Sequence, residues 1–486
     1  MTTAHSAEPA SAGSHRTATI VVILSLGLFM SSLDLFIVNL AFPYIAHDYP
    51  GTSLGMLSWV LNAYTIVFAA ILVPAGRWAD RIGRRRVFDA GLVVFGLGSL
   101  LCGLAPGVDA LIGARVVQAV GAGLMVPSSL SLLLATTPPS ARPRAIGTWS
   151  AVGAFGAAIG PVIGGSLVQL SWRWVFWINL PVAVVALALS RRLVPDSRDE
   201  LTSGRPDIAG AGLLAGSVGL LALGLVEAHD WGWGSIGFMA SLVGSLSLGA
   251  ATVLRSRRHH APVIELGLLR ARSFSGSFVA SLLYYAAFGA WLLSLVEFLT
   301  GVWHYSAVQA GLAVAPGPLM VLPFARVVAP RLAARLGGPG RVAAIGCALN
   351  VASQVYWLTH LFAGSDYLGH LFPAQLIGGA GVGLAIPSLL GAGTSSLPPA
   401  RFGTGSGILN MARQIGTVIG VAALIAVLSN ASASDPVGAF RHAVLLVGAF
   451  FAAAMVVSVG LLGPGPATVP AGTPVVVLEP EFGGAA

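Results

Sequence analysis

Four ionisable side chains stand in stretches that should be hydrocarbon, and they set the chemistry available to this chain. Asp34 lies in Leu33-Asp34-Leu-Phe-Ile-Val-Asn39-Leu-Ala-Phe-Pro43, inside the first apolar run. Glu297 lies toward the end of the ninth run, and Arg115 and Arg413 lie in the fourth and thirteenth. An ionised carboxylate in hydrocarbon costs several kcal/mol, so a lone Asp34 favours its protonated form and is suited to carrying a proton. The alternative is a permanently neutral or helix-capping aspartate. A buried arginine must be paired or wetted. Arg115, if it approaches Asp34, would tune that carboxylate and tie its protonation to substrate or conformation.

A second group of residues suits the binding of a small molecule. Tyr284, Phe288 and Trp291 fall on one helical face with Tyr285 beside them, just before Glu297. Aromatic faces with a carboxylate would attract an amphipathic, cationic compound; the alternative is packing or a lipid-interface belt. Asn62, Asn410 and Arg413 are further cavity candidates. Together with Gln118, Gln354, Gln375 and Gln414, the two asparagines either line a cavity or bond between helices.

Two motifs read as moving parts. Gly156, Gly160 and Gly164 recur every fourth residue, so on a helix they form a smooth face that admits a neighbour at backbone distance. Pro161 adds a kink and Gly165 another small side. Gly76-Arg77-Trp-Ala-Asp80-Arg81-Ile-Gly83-Arg84-Arg85-Arg86 places one carboxylate among five arginines in a tight turn. That turn is suited to a charge lock against a neighbouring helix end, with Gly76, Asp80, Arg81, Gly83 and Arg84 as its parts.

These residues must be positioned by membrane helices. Apolar residues make up 56% of the chain and charged ones 9%, with a mean hydropathy of +0.84, far from the roughly 25% charged of soluble domains. Fourteen membrane-length segments begin near Ala18, Met56, Val87, Val108, Ala145, Trp174, Ile208, Gly234, Phe274, Ala307, Val342, Leu371, Gly403 and His442. Every one of the 26 basic residues is arginine, and 22 fall at one end of this alternation. That bias predicts cytoplasmic termini. The dispersed charge fits lipid anchorage better than nucleic-acid binding. Without lysine there is no P-loop and no Schiff base. Cys102 and Cys347 fall in different apolar runs, so no disulfide framework is expected. No metal site, cofactor or close catalytic constellation is expected.

The chain is duplicated. At an offset of 260, Gly121-Ala-Gly123-Leu124-Met-Val-Pro127-Ser128 matches Gly381-Val-Gly383-Leu384-Ala-Ile-Pro387-Ser388; at 256, Gly160 and Gly164 match Gly416 and Gly420. At 254 the arginine-rich turn matches Pro330 to Gly337, with Ala334 in place of the acid, so any lock is asymmetric. The expected fold is all-α and membrane-spanning: two six-helix bundles, residues 18–195 and 273–463, with a two-helix insert and its linkers at 196–272. Residues 1–17 and 464–486 are expected to be disordered cytoplasmic tails.

At these motifs the chain resembles the major facilitator superfamily, and within it the fourteen-helix drug:proton antiporter branch. Gly76 to Arg86 is similar to the superfamily's loop signature, and Arg115 to Gly123 to its fourth-helix pattern, with Ala119 where glycine is usual. Gly156 to Gly165 resembles the antiporter motif. Asp34 to Pro43, Trp172 to Pro181 and Asn410 to Gly416 resemble branch signatures, with Phe36 replacing the usual hydroxyl residue. The resemblance implies a proton-coupled exporter of small amphipathic compounds in a bacterial inner membrane, working by alternating access, with Asp34 and Arg115 in proton coupling. Glu297, outside the family pattern, is a further proton-coupling candidate as an acid within a span and could instead mark the substrate of a subgroup. A proton-coupled importer and a non-transporting receptor are the competing classes; a membrane enzyme fits least.

Overall fold

The computed structural model describes residues 10–138, 142–198, 207–260, 262–362, 364–395, 397, 402–429 and 436–462, and these contain no strand. The helices are α1 (Ala10–Asp48), α2 (Leu54–Ile82), α3 (Arg84–Leu104), α4 (Val108–Thr136) and α5 (Arg142–Leu170). They continue as α6 (Trp174–Leu193), α7 (Ile208–Trp231), α8 (Ile236–Arg258), α9 (Arg272–Gly301) and α10 (Ala307–Leu336). The last four are α11 (Pro339–Thr359), α12 (Tyr367–Thr394), α13 (Phe402–Leu428) and α14 (Pro436–Leu461). Among the described residues thirteen qualify as membrane spans by length and composition. With the 29-residue α5, fourteen helices are long enough to cross. The first begins at Ala10, inside the segment expected to be a tail; residues 1–9 and the 464–486 tail lie outside the described residues.

Local chemistry sets the helix ends. Ser53, Asp207 and Ser235 cap α2, α7 and α8 by accepting from the backbone N–H of Met56, Gly210 and Phe238. Ser306 and Gln309 form a reciprocal capping box at the start of α10. Gly83, between α2 and α3, has φ 123°, a region that disfavours side chains.

The two halves repeat the same packing. In the first, α1 packs on α5, α3 on α4, α2 on α4 and α3 on α6; in the second, α9 packs on α13, α11 on α12, α10 on α12 and α11 on α14. The repetition reaches single atoms. A Cβ on Gly91 would lie 2.6 Å from Met125 N and 3.0 Å from Gly121 O, and one on Gly346 would lie 2.5 Å from Ala385 N and 2.7 Å from Gly381 O. The partners Met125 and Ala385, and Gly121 and Gly381, are related by the offset of 260, and the two glycines by 255.

The halves meet along two seams, α2 against α13 and α5 against α10. The pair α7 and α8 is a hairpin, and α7 lies on α2 and α13, so it covers the first seam only. Arg255 at the end of α8 donates to Asp207 at the start of α7 at 2.6 Å, clamping the hairpin. We call the end of the molecule holding the α2–α3 turn the arginine-rich end and the other the far end.

Candidate functional site: a buried ion pair beside a central pocket

Asp34, Arg115 and Gln118 form one fully buried cluster inside the first bundle. Arg115 Nη1 donates to Asp34 Oδ2 at 2.6 Å and to Gln118 Oε1 at 2.6 Å. Gln118 Nε2 donates to Asp34 Oδ1 at 2.9 Å and contacts Ser99 Oγ at 2.8 Å. Arg115 Nε donates to the Val60 carbonyl at 2.9 Å, and the guanidinium carbon stands 4.0 Å over the Tyr64 ring. The carboxylate therefore has two donors of different kinds, one charged and one neutral. Arg115 and Gln118 are three residues apart on α4, which puts both on one face toward α1. The amide of Gln118, which the sequence left as either cavity lining or a bond between helices, is the second holder of Asp34. Ser99 and Tyr64 were not anticipated.

The cluster has no counterpart in the other half. Through the shared contacts, Arg115 corresponds to Gln375, Gln118 to Gly378 and Asp34 to Leu283. Gln375 keeps only the backbone part of the arrangement. Its amide reaches the Ala313 and Val314 carbonyls of α10, where Arg115 reaches Val60 of α2.

Between the halves lies a narrow pocket lined by Leu35 and Asn39 of α1, Leu61 and Thr65 of α2, Phe288, Gly289 and Leu292 of α9, and Thr417 and Val421 of α13. It offers about 20 Å³ to the centre of a water molecule, room for one water. Phe36 meets Phe288 edge-on across the interface at 6.1 Å. One helix thus serves both features: Asp34 and Leu35 are consecutive on α1, with the first in the ion pair and the second in the pocket wall. Val60 and Leu61 do the same on α2.

The expected aromatic and polar cavity is only partly assembled. Phe288 lines the pocket, with Tyr285 edge-on to it at 5.9 Å and Trp291 tilted against it at 5.8 Å. Tyr284 does not line it: it is fully buried in the second bundle, bonded to Asn350 and packed on Phe451. A helical face cannot tell which of two apolar neighbours it meets. Asn62 is likewise buried away from the pocket lining, with Ser58 its partner at 3.4 Å. Asn410 accepts from Arg413 at 2.9 Å, and the Arg413 guanidinium stacks 4.5 Å over Tyr285. Glu297 does not join the rings. It is nine residues beyond Phe288, half a turn out of phase, and its Oε1 is sealed without a hydrogen-bond partner.

The glycine face lies against α1. A Cβ on Gly156 would lie 2.7 Å from Phe29 O, one on Gly160 2.9 Å from Phe36 Cβ, and one on Gly164 3.5 Å from Ile37 Cα. Gly165 faces the other half, where a Cβ would lie 2.5 Å from Ala307 O. Tyr44 Oη accepts from Ala307 N at 2.9 Å nearby, so α1, α5 and α10 close together at the far end. The helix runs through Pro161, whose side chain lies outside the described residues.

The arginine-rich turn differs from the expected lock. Asp80 pairs within its own turn, with Arg84 at 2.8 Å, and Arg81 is exposed. Gly76 packs lightly on Pro127 of α4. The carboxylate that ties the turn to another element is Asp196, just past α6, which accepts from Arg85 N at 3.2 Å and pairs with Arg86 at 3.2 Å. Arg84 N also donates to Ser197 O at 2.8 Å.

A family model described as Major Facilitator Superfamily matches residues 24–421, most of the chain, from α1 into α13. The chain belongs to the Major Facilitator Superfamily. It is therefore a multi-pass membrane transporter and not an enzyme. The puromycin resistance protein of Streptomyces alboniger is 36% identical over 420 residues, covering 85% of this chain and 82% of that protein. The cephamycin export protein of Amycolatopsis lactamdurans is 33% identical over 431 residues, covering 88% of each. Among solved structures, a peptide transporter bound to sulfate superposes with a TM-score of 0.66 at 18% identity, covering 91% of this chain and 93% of that one, a likeness of fold.

Proposed function

We propose that this superfamily member is a proton-coupled exporter of small amphipathic compounds in a bacterial cell membrane, with both termini cytoplasmic. The names of its relatives, resistance and export proteins of actinomycetes, support the export direction. The observation that carries the mechanism is the sharing of α1 and α2 between the buried ion pair and the central pocket. The residues 18–195 and 273–463 act as the two rocking bundles, and the 196–272 insert rides on one seam.

In this mechanism Asp34 carries the proton. While ionised, it is held by Arg115 and Gln118, and this contact fixes α1 against α4. A proton on Asp34 removes its charge and leaves Arg115 buried without a counter-charge, a state costly enough to force rearrangement. The guanidinium must then seek other acceptors, and α1 and α2 move with it. Because Leu35, Asn39, Leu61 and Thr65 lie on those same helices, the pocket changes shape with protonation. The tight α1–α5 packing at Gly156, Gly160 and Gly164, and the contact of Gly165 with α10, seal one side while the other opens. The α2–α3 turn, held by Asp196 to the segment after α6 and stiffened within itself by the Asp80–Arg84 pair, latches the arginine-rich end.

The test is a compound panel in an efflux-deficient bacterial host expressing the chain. Raised resistance that disappears with a protonophore supports the reading. Unchanged susceptibility to every compound in membranes containing the folded protein, together with no pH-driven flux, would overturn it.

A further inference from the structure

We infer that the central pocket, which has room for one water in this closed arrangement and widens as the bundles rock, selects acidic amphiphiles, with Arg413, one turn beyond its lining, as the residue that recognises their negative charge; the inference rests on the exporter reading and names its substrate class. Arg413 precedes Thr417 by four residues and Val421 by eight, so it stands on the pocket-facing side of α13, one turn toward the arginine-rich end. Its guanidinium lies on the face of Tyr285, one turn before Phe288 and Gly289 in the facing wall. It is partly exposed, and its one side-chain hydrogen bond among the described residues goes to the neutral amide of Asn410. No carboxylate is paired with it there. Beside it the Tyr285 hydroxyl is 94% buried with its residue and has no hydrogen-bond partner, so it offers a second donor to an incoming acid.

The opposite charge is missing. Among the described residues no carboxylate lines the pocket: Asp34 is held by Arg115 and Gln118, and Glu297 lies on the other side of α9. A cation entering would leave water without gaining a counter-charge, whereas an anion finds a guanidinium and a phenol together. The rings of Phe288 and Trp291 provide the apolar contact for the rest of the molecule.

Two dyes sharing a xanthene ring make the test: carboxyfluorescein, an anion, and rhodamine 123, a cation. Fluorescence polarisation with the purified full chain measures binding without requiring transport. The wild type is expected to bind carboxyfluorescein more tightly, and Arg413→Gln to weaken it by about tenfold while changing rhodamine 123 less than twofold; Arg413→Lys should keep part of the preference. A wild type that prefers rhodamine 123, or an Arg413→Gln that weakens both dyes equally or neither, would overturn the assignment. If the glutamine variant does not fold, displacement of carboxyfluorescein from the wild type by octanesulfonate but not octylammonium decides the same question, and the reverse order overturns it. Charge-selective binding with no pH-driven flux would sink the exporter reading alone; pH-driven efflux without charge preference would sink this one alone.

Discussion

Replacing Asp34 by asparagine separates the stability of the ion pair from its use in transport. The substitution keeps the size of the side chain and removes the charge opposite Arg115, both groups being fully buried. Removing one partner of a buried pair costs about 3–5 kcal/mol, because the remaining charge is left in a medium that cannot solvate it. Arg115 keeps the Val60 carbonyl and Gln118 as acceptors, which places the loss toward the lower part of that range. On the scale of roughly 2–4 °C per kcal/mol for domains of this size, Tm should fall by roughly 6–15 °C. The double variant Asp34→Asn with Arg115→Gln replaces the pair by two neutral amides and should regain most of that loss. Transport should behave differently: both variants lose pH-driven efflux, since neither can exchange a proton for a charge at this point. The assay pairs thermal unfolding in detergent with dye efflux under an imposed pH gradient. A double variant that transports like the wild type would refute the coupling role, and an Asp34→Asn protein with unaltered Tm would refute the energetics.

Other substitutions probe the moving parts. Gly160→Leu should abolish transport while the protein still inserts, because even its Cβ would press on Phe36; normal efflux rates would show that the α1–α5 contact is passive. Asp80→Asn removes a partly exposed pair worth ~0.5 kcal/mol and should lower turnover more than dye affinity, whereas altered affinity at unchanged turnover would place it in binding. Gly83→Ala should destabilise by roughly 1 kcal/mol or more, since its φ of 123° and a Cβ 2.8 Å from Asp196 Oδ2 both oppose it; a Tm equal to the wild type would contradict the docking of Asp196. Glu297→Gln should leave the ratio of anionic to cationic dye efflux unchanged, and a selective loss of the cation would return Glu297 to the pocket.

The spans were legible because runs of about 20 apolar residues have few other uses, and Asp34 because a charge is conspicuous there. The duplication was legible from glycines, whose spacing is kept by backbone contacts such as those of Gly91 and Gly346. Partners distant in the chain were not: Asp34 and Arg115 are 81 residues apart, and no periodicity reports which helices adjoin. Gln118 did leave a signal, its three-residue spacing from Arg115. Asn39, Thr65 and Thr417 left almost none, since a small polar group that bonds its own helix looks the same in a pocket wall as elsewhere. Asp196 was hidden in a linker that reads as polar filler, its role fixed by the turn it meets in space. Tyr284 was assigned to the cavity because it shares a helical face with Phe288, but that face spans two environments along its length.

The most direct test of the central claim uses inside-out membrane vesicles containing the full chain, in which outward export becomes inward accumulation. Carboxyfluorescein uptake is followed on imposing an acidic lumen, with wild type and Asp34→Asn side by side. The account predicts uptake in the wild type that needs the gradient, collapses with a protonophore, and is absent in the variant. Accumulation that ignores the gradient, or that persists in Asp34→Asn, would contradict it.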